Sequence, residues 1–153
     1  MSREERSRNE HGAAPETGAI TRSLHRVPFY ETDAMGVVHH ANYVHFLELA
    51  RIQFLDEHDV PYRDYVAQDL HYAVTRVDVR YRQAARFDDE VETLVWVEWV
   101  RGASLAIGYE LRCGERPIAT ARTEHAMVDG SGRPVRIPAE RRRNLAKLAV
   151  AGR

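Results

Sequence analysis

One long stretch of the chain, from about Ala41 to His58, carries apolar residues at helical spacing. Charged residues such as Glu48 and Arg51 fall mostly on the other sides of the same stretch. The spacing predicts one long amphipathic helix whose apolar face is buried, and Pro61 ends it. The apolar positions of that face are Tyr43, Phe46, Leu47, Ala50, Phe54 and Leu55.

Apolar and polar residues alternate with a period of two in most of the remaining chain, as is typical of β-strands. A first strand is predicted before the helix, from Thr21 to Tyr30. Four more follow the helix, in HYAVTRVDVRYRQAA, EVETLVWVEWV, SLAIGYELRC and PIATARTEHAMV. Pro138 opens a short C-terminal helix, since proline is favoured at the first helical position. This order predicts an α+β fold with a mostly antiparallel sheet wrapped around one long central helix.

Two predicted strands have outer faces of different polarity, which predicts different surroundings for them. Alternation from Ala73 to Tyr81 predicts a half-buried strand with charged residues such as Arg76 outside. On the next strand, Leu94 and Trp96 make the nominally outer face too apolar for plain solvent surface. Either another subunit or a second layer supplied by the C-terminal helix covers that face. The first alternative is the basis for a homotetramer hypothesis.

Composition and charge narrow the class of protein. The 153 residues fit one domain, expected over residues 20–150 behind a disordered leader over residues 1–19. A net charge of −1, from 22 basic and 23 acidic residues, gives no bulk attraction to nucleic acid, and no nucleic-acid partner is expected. The single cysteine, Cys113, favours a reducing compartment, so we expect a cytoplasmic protein. No stretch of the sequence is apolar over the length of a membrane span.

The candidate chemistry is concentrated in the turn before the long helix, FYETDAMGVVHHANY. The first N–H groups of a helix have no partner within it and carry a partial positive charge, so they attract oxyanions. Gly36 gives the chain freedom to fold Asp33 back toward them. A carboxylate beside an oxyanion hole suits acyl transfer, with a thioester as the natural electrophile. The alternative is that Asp33 is a cap or turn residue.

The segment ETDAMGVVHHANY resembles the signature of the 4-hydroxybenzoyl-CoA thioesterase-like branch of the hotdog-fold family. Within that branch it is most similar to the acyl-CoA thioesterases associated with the Tol-Pal system. The likeness continues through FLELAR on the helix, ARFDDEV before the third strand and RGASL at the next hairpin. It spans about Val27 to Pro138, in which Asn42 stands where the family is expected to have a serine.

The resemblance implies a hotdog fold, a dimer with active sites at the subunit interface, and hydrolysis of acyl-CoA to a carboxylic acid and CoA. By position, Asp33 is the catalytic carboxylate, and the backbone N–H of His40 polarises the thioester carbonyl. The His40 imidazole would help to position substrate or water. Arg101 and Ser104 of the RGASL hairpin would lie near the nucleotide arm of CoA. No cofactor is implied, since CoA is part of the substrate.

Further substrate contacts are predicted for Gly36, Val37 and Val38 of the turn and for Tyr43 of the helix. Two alternative functions stay open. One is a thioesterase acting on acyl groups held by a carrier protein, and the other is an acyl-CoA-binding module without turnover. The acyl chain, the choice between homodimer and homotetramer, and the role of Asp33 as nucleophile or base also stay open.

Other polar residues near the turn receive structural interpretations. The spacings of His39, His40 and His45 do not give the i, i+4 pair of a helical zinc motif, and no metal is expected. Glu48 could supply a carboxylate on the central helix, as in some hotdog thioesterases. We interpret it instead as the i, i+3 ion-pair partner of Arg51.

Overall fold

The computed structural model describes residues 12–150, and within them the chain forms one five-stranded antiparallel sheet and three α-helices. The strands are β1 (Thr21–Arg26), β2 (His71–Tyr81), β3 (Glu90–Arg101), β4 (Ser104–Cys113) and β5 (Arg116–Val128). The helices are α1 (Asn42–His58), α2 (Tyr62–Ala67) and α3 (Ala139–Leu148). None of these helices is long and apolar enough to cross a membrane.

The central helix α1 lies on one face of a sheet whose strand order is β1-β3-β4-β5-β2. Its buried apolar residues are the six that the helical spacing predicted: Tyr43, Phe46, Leu47, Ala50, Phe54 and Leu55. They share one core with alternate residues of β3, β4 and β5. The predicted α+β fold, with a sheet around one long helix, is confirmed, and it is the hotdog arrangement that the resemblance implied.

Helix α3 packs beside the sheet, where β1 no longer covers the edge of β3. The pairing of β1 with β3 runs only as far as Val95, and the Val97 carbonyl accepts the Val150 N–H (3.1 Å). Leu145 of α3 is fully buried in the main core. The predicted C-terminal helix is therefore confirmed, but it does not form a second layer on the outer face of the sheet.

The two edge strands differ from their predictions. β1 ends at Arg26, and Phe29–Glu31 forms a 3₁₀ turn after Pro28, so the predicted strand to Tyr30 is too long. In β2 the pairing with β5 shifts at Thr75, a bulge that changes which side chains share a face. Because β2 is also an edge strand, its predicted half-buried face is wrong: Val77 is 42% exposed.

The outer face at Leu94 and Trp96 is covered within the single chain. The two side chains are 5% and 2% exposed. The Trp96 ring lies over Gly108, where an added Cβ would come within 2.6 Å of the ring. The apolar surface on which the homotetramer hypothesis rested is therefore buried in the chain itself, and that premise is wrong.

Part of the predicted leader supplies cover for this face. The Ala14 N–H donates to Glu110 (2.8 Å), which is the cross-strand neighbour of Leu94, and Pro15 is buried. Ala14 thus contacts the outer face of the sheet, and the residue that follows it is buried. Residues 1–11 lie outside the described residues, and disorder there stays a prediction.

Candidate active site

Asp33 lies at the start of a tight turn between two short extended segments. Thr32 and Val38 form a β-bridge, and the Asp33 N–H donates to the Val37 carbonyl (2.8 Å). The Gly36 N–H then closes the turn on the Asp33 carbonyl (2.9 Å). Gly36 has a φ of 77°, a conformation that favours glycine, so this residue sets the turn that holds Asp33.

The Asp33 side chain belongs to this turn and not to the helix. Its Oδ1 accepts the Met35 N–H (2.8 Å), which is an Asx turn. No residue among 12–150 forms a hydrogen bond with its Oδ2. One carboxylate oxygen is therefore fixed by the turn, and the other is available to a substrate.

The start of α1 carries a free amide. Ala41, at the N-cap, supplies no side-chain cap. His39 accepts the Ala41 N–H through Nδ1 (3.1 Å) and the Asn42 N–H through its carbonyl (2.9 Å). Within the described part of the chain, the His40 N–H has no acceptor. A free amide at this end of a helix can stabilise an oxyanion, and Asp33 does not cap it.

Glu31 joins the turn to the helix start. Its carbonyl accepts both the His39 N–H (2.9 Å) and the Asn42 side-chain amide (2.8 Å). Its carboxylate, in a residue 8% exposed, contacts His25 Nε2 on β1 at 2.6 Å. Neither His25 nor Glu31 was predicted as a site residue, although Glu31 joins the turn to the helix start and His25 contacts it.

The predicted contact residues of the turn divide into exposed and buried ones. Gly36 is exposed and Val37 is partly exposed. Val38 and Tyr43 are each 3% exposed, and the Tyr43 hydroxyl accepts the Ala85 N–H (3.1 Å). Val38 and Tyr43 therefore form the wall behind the turn, not its open surface.

The His40 ring is exposed and stacks on that of His39, with ring centres 4.2 Å apart. The Tyr81 hydroxyl donates to the His40 carbonyl (2.9 Å), which ties the start of α1 to the end of β2. In the described range 12–150, no group of three or more potential ligands is arranged to hold a metal ion.

Arg101 and Ser104 lie at the other end of the sheet from Asp33. Ser104 of β4 and Ala73 of β2 pair with the same residue of β5, so they lie at the same height of the sheet. The Asp33 turn lies near Tyr81, at the other end of β2. Eight residues of strand separate these levels, about 26 Å at 3.3 Å per residue. Arg101 instead stacks on the ring of Trp99, 4.3 Å from its centre. A single chain therefore does not bring these predicted site residues together.

Large apolar side chains surround the Asp33 turn on the protein surface. Phe29, Tyr30, Met35 and Phe87 are between 53% and 84% exposed, and the Phe29 and Phe87 rings are in edge contact. We call these four residues the apolar rim. Exposed apolar patches of this kind mark surfaces that bind a ligand or another chain.

The predicted ion pair between Glu48 and Arg51 is not formed. Arg51 Nη1 donates instead to the Tyr109 hydroxyl (3.2 Å). Among the described residues Glu48 has no ion-pair partner. Both side chains line a cavity of about 130 Å³ between α1 and the sheet.

A family model described as the thioesterase-like superfamily matches residues 27–145, which include the Asp33 turn, α1 and strands β2 to β5. The chain belongs to this superfamily. Within the thioesterase-like superfamily, the acyl-CoA thioesterase YbgC of Haemophilus influenzae is 33% identical over 117 residues, 75% of this chain and 86% of that protein. The acyl-CoA thioester hydrolase YbgC of Escherichia coli O6:H1 is 39% identical over 80 residues, 52% of this chain and 60% of that protein.

A crystal structure of a hypothetical protein from Thermus thermophilus has a similar fold. Its TM-score is 0.81 at 30% sequence identity, and the match covers 86% of this chain and 98% of that chain. The family resemblance stated from the sequence is therefore confirmed, and with it the thioesterase-like fold.

Proposed function

We propose that the chain is an acyl-CoA thioesterase, which hydrolyses an acyl-CoA to a carboxylic acid and free CoA. The proposal is based mainly on two groups that form no hydrogen bond with any described residue: one carboxylate oxygen of Asp33 and the His40 N–H. A turn and a helix start that meet at Glu31 hold the two groups. Two relatives in the superfamily are named as an acyl-CoA thioesterase and an acyl-CoA thioester hydrolase.

The His40 N–H would donate to the carbonyl oxygen of the thioester. Negative charge develops on that oxygen during the reaction, and the partial positive charge at the start of α1 stabilises it. The leaving thiol has a pKa of about 8.5, so its departure needs little help from a general acid. A change of the His40 side chain would leave this backbone donor in place.

Asp33 can act in two ways at this position. As a nucleophile, its carboxylate attacks the carbonyl carbon, the thiolate leaves, and water then hydrolyses the mixed anhydride. As a base, it takes a proton from the water that attacks the same carbon. A single turnover in isotopically labelled water separates the routes, because only the nucleophile route can place labelled oxygen in the Asp33 carboxylate.

We also propose that a homodimer completes the site. β2 is an edge strand of the sheet that residues 12–150 form, and edge strands can pair with a strand of another chain. An antiparallel pairing of two β2 strands would set the Tyr81 end of one against the His71 end of the other. Arg101 of the partner subunit would then lie on the side of the Asp33 turn, where its guanidinium can bind the phosphates of CoA.

The substitution Asp33→Asn tests the proposed function. Removal of the carboxylate should lower kcat by about 10²-fold to 10⁴-fold, with a much smaller change in KM. Thiol release from a panel of short, long and aromatic acyl-CoAs gives both constants. Asp64→Asn, at an exposed position of α2, is the matched control and should keep full activity.

Three outcomes would contradict the proposal. Equal kcat values for the wild type and Asp33→Asn would remove Asp33 from the reaction. Tight binding of acyl-CoA with no thiol release by the wild type would indicate a binding module. Faster turnover of acyl groups on a carrier protein would move the substrate from CoA to that carrier.

A further inference from the structure

The two peptide groups on either side of His40 decide where the proposed oxyanion donor points. The His40 N–H belongs to the peptide group that joins His39 to His40, and the carbonyl of this group accepts the Asn42 N–H (2.9 Å). A trans peptide holds its N–H and C=O on opposite sides, and no peptide bond in residues 12–150 is cis. The bond to Asn42 therefore directs the His40 N–H away from the first residue of α1.

The next peptide group, which joins His40 to Ala41, is held from outside the helix. In the body of an α-helix, each carbonyl accepts the N–H of the residue four positions later. At the start of α1 the Val44 N–H donates instead to the Ala41 carbonyl (3.2 Å). Within the described residues, the one partner of the His40 carbonyl is the Tyr81 hydroxyl of β2 (2.9 Å). Formation of α1 alone therefore does not fix this peptide group.

The Tyr81 side chain can fix it because the ring is itself held in place. The Tyr81 backbone pairs with Ala119 of β5. Its ring is in edge contact with the ring of Tyr43, with 5.3 Å between the ring centres. Tyr43 is 3% exposed, and its hydroxyl accepts the Ala85 N–H (3.1 Å). The sheet and a buried ring together place the Tyr81 hydroxyl at the start of α1, where it donates to the carbonyl.

From these contacts we propose that Tyr81 is a positioning residue for hydrolysis of the thioester. Its hydroxyl holds the peptide group after His40, and the Asn42 N–H holds the one before it. The two bonds together set φ and ψ of His40 and keep its N–H from turning toward another acceptor. A donor that is already oriented needs no reorganisation when negative charge develops on the thioester oxygen. This inference rests on the proposed thioesterase function and adds a residue to its site.

The substitution Tyr81→Phe tests the inference, since it keeps the ring and its contact with Tyr43 and removes only the hydroxyl. Tyr81 is 51% exposed and His40 is also exposed, so water replaces the hydroxyl and the protein stays folded. We expect kcat to fall about threefold to tenfold, the effect of about one hydrogen bond, with KM changed less than about twofold. The substrate is butanoyl-, decanoyl- or benzoyl-CoA, whichever gives the fastest thiol release.

Gln68→Met is the matched control for this test. The Gln68 side chain also donates to a backbone carbonyl at an exposed position, that of Asp64 in α2 (3.2 Å). Its loss removes the same kind of bond far from the Asp33 turn and should leave both kinetic constants at the wild-type values.

Three results would overturn the inference. A wild-type kcat in Tyr81→Phe would show that the hydroxyl is not needed. A KM that rises at least as much as kcat falls would make Tyr81 a substrate contact. A changed oligomeric state in light scattering would assign the loss of activity to the pairing of subunits.

The His40 amide gives a second measurement, which does not depend on turnover. A ketone analogue of the same acyl-CoA, with a methylene group in place of the thioester sulfur, keeps the carbonyl oxygen and cannot be hydrolysed. Proton–nitrogen NMR should show the His40 amide proton moving downfield when the analogue binds, and moving less in saturated Tyr81→Phe. Shifts of equal size in the two proteins would overturn the positioning role.

The two proposals can fail separately. Thiol release that depends on Asp33 but not on the Tyr81 hydroxyl would overturn the positioning role alone. Absence of thiol release from the wild type would overturn the thioesterase function and, with it, the role of Tyr81 in hydrolysis.

Discussion

At the scale of single residues, Glu31 joins the Asp33 turn to the start of α1. Its carbonyl is the common acceptor for the His39 N–H and the Asn42 side chain, so the turn and the helix start meet at one residue. The asparagine side chain is longer than that of the serine expected at this position, and it reaches the carbonyl directly. The His25 contact then holds Glu31 against β1 (2.6 Å).

The sequence could not indicate His25 because the alternation in β1 is inverted. Thr21 and Ser23, on the same side as His25, are polar and buried, whereas the apolar residue Leu24 is 59% exposed. The turn that holds Asp33 was predictable, since it has a specific motif with a glycine at the required place, and the catalytic role of Asp33 stays a prediction. Glu48 was interpreted wrongly because spacing alone cannot show that Arg51 prefers the buried Tyr109 hydroxyl.

The buried histidine, His125, makes stability depend on pH. Its folded pKa of about 3 lies below the ordinary value of 6.5, so the unfolded chain binds more protons between these values. The stability that comes from a neutral His125 is present above pH 6.5 and is lost as the pH falls toward about 3.

We therefore expect the free energy of unfolding to fall more steeply with acid in the wild type than in His125→Leu. Urea unfolding over this pH range measures both slopes, and carboxylates common to the two proteins cancel in the comparison. His45→Leu, at an exposed position of α1, should keep the wild-type slope. Parallel slopes for wild type and His125→Leu would show that His125 is not the group responsible.

At the scale of elements, a buried carboxylate connects the ends of α1 and α3. The Asp59 side chain is fully buried, and its Oδ1 accepts from Arg141 (2.6 Å) and Asn144 (2.8 Å). Its Oδ2 accepts from the Tyr65 hydroxyl of α2. The network therefore fixes three helices to one another at a single residue.

Loss of this carboxylate should destabilise the fold strongly. Asp59→Ala removes a fully buried acceptor shared by Asn144 and by Arg141, whose side chain is 20% exposed and keeps its contact with Glu140, so we expect a loss of about 3 kcal/mol in the free energy of unfolding. Tyr65→Phe removes one donor and should cost about 1 kcal/mol. Urea unfolding gives both values. Equal losses for the two variants would mean that the charge is not the important part of the network.

Hydrophobic periodicity predicted the elements whose partners lie within the chain. The spacing in α1 and the alternation in β4 were correct because both elements bury a full face in the same core. β2 was predicted less well, since one of its edges has no neighbour in this sheet and a bulge at Thr75 interrupts the alternation. A bulge adds one residue to a strand, so the alternation changes face partway along it.

At the scale of the whole molecule, a second subunit would complete parts of the site that one chain leaves open. The four exposed apolar residues of the apolar rim, Phe29, Tyr30, Met35 and Phe87, lie at the Asp33 turn, and the Tyr81 end of the edge strand β2 contacts the start of α1. Arg101, the cation predicted to bind CoA, lies at the far end of the same sheet. A homodimer paired through β2 would cover the free edge and bring the two ends of the site together. On the outer face, Ala14 contacts Glu110, and the homotetramer stays a prediction.

The substitution Val77→Lys tests this dimer. Val77 is near the centre of β2, so an antiparallel pair would place the two new lysines close to each other, and like charges across strands are unfavourable. Light scattering after size-exclusion chromatography should show a dimer for the wild type and a monomer for Val77→Lys.

Leu24→Lys is the matched control and should remain a dimer. Leu24 is also an exposed apolar position, but it lies on β1 at the opposite edge of the sheet. Hydrolysis should fall with Val77→Lys alone, because only that change removes Arg101 of the second copy, the residue proposed to bind CoA. A wild-type monomer with full activity would show that one chain forms the whole site.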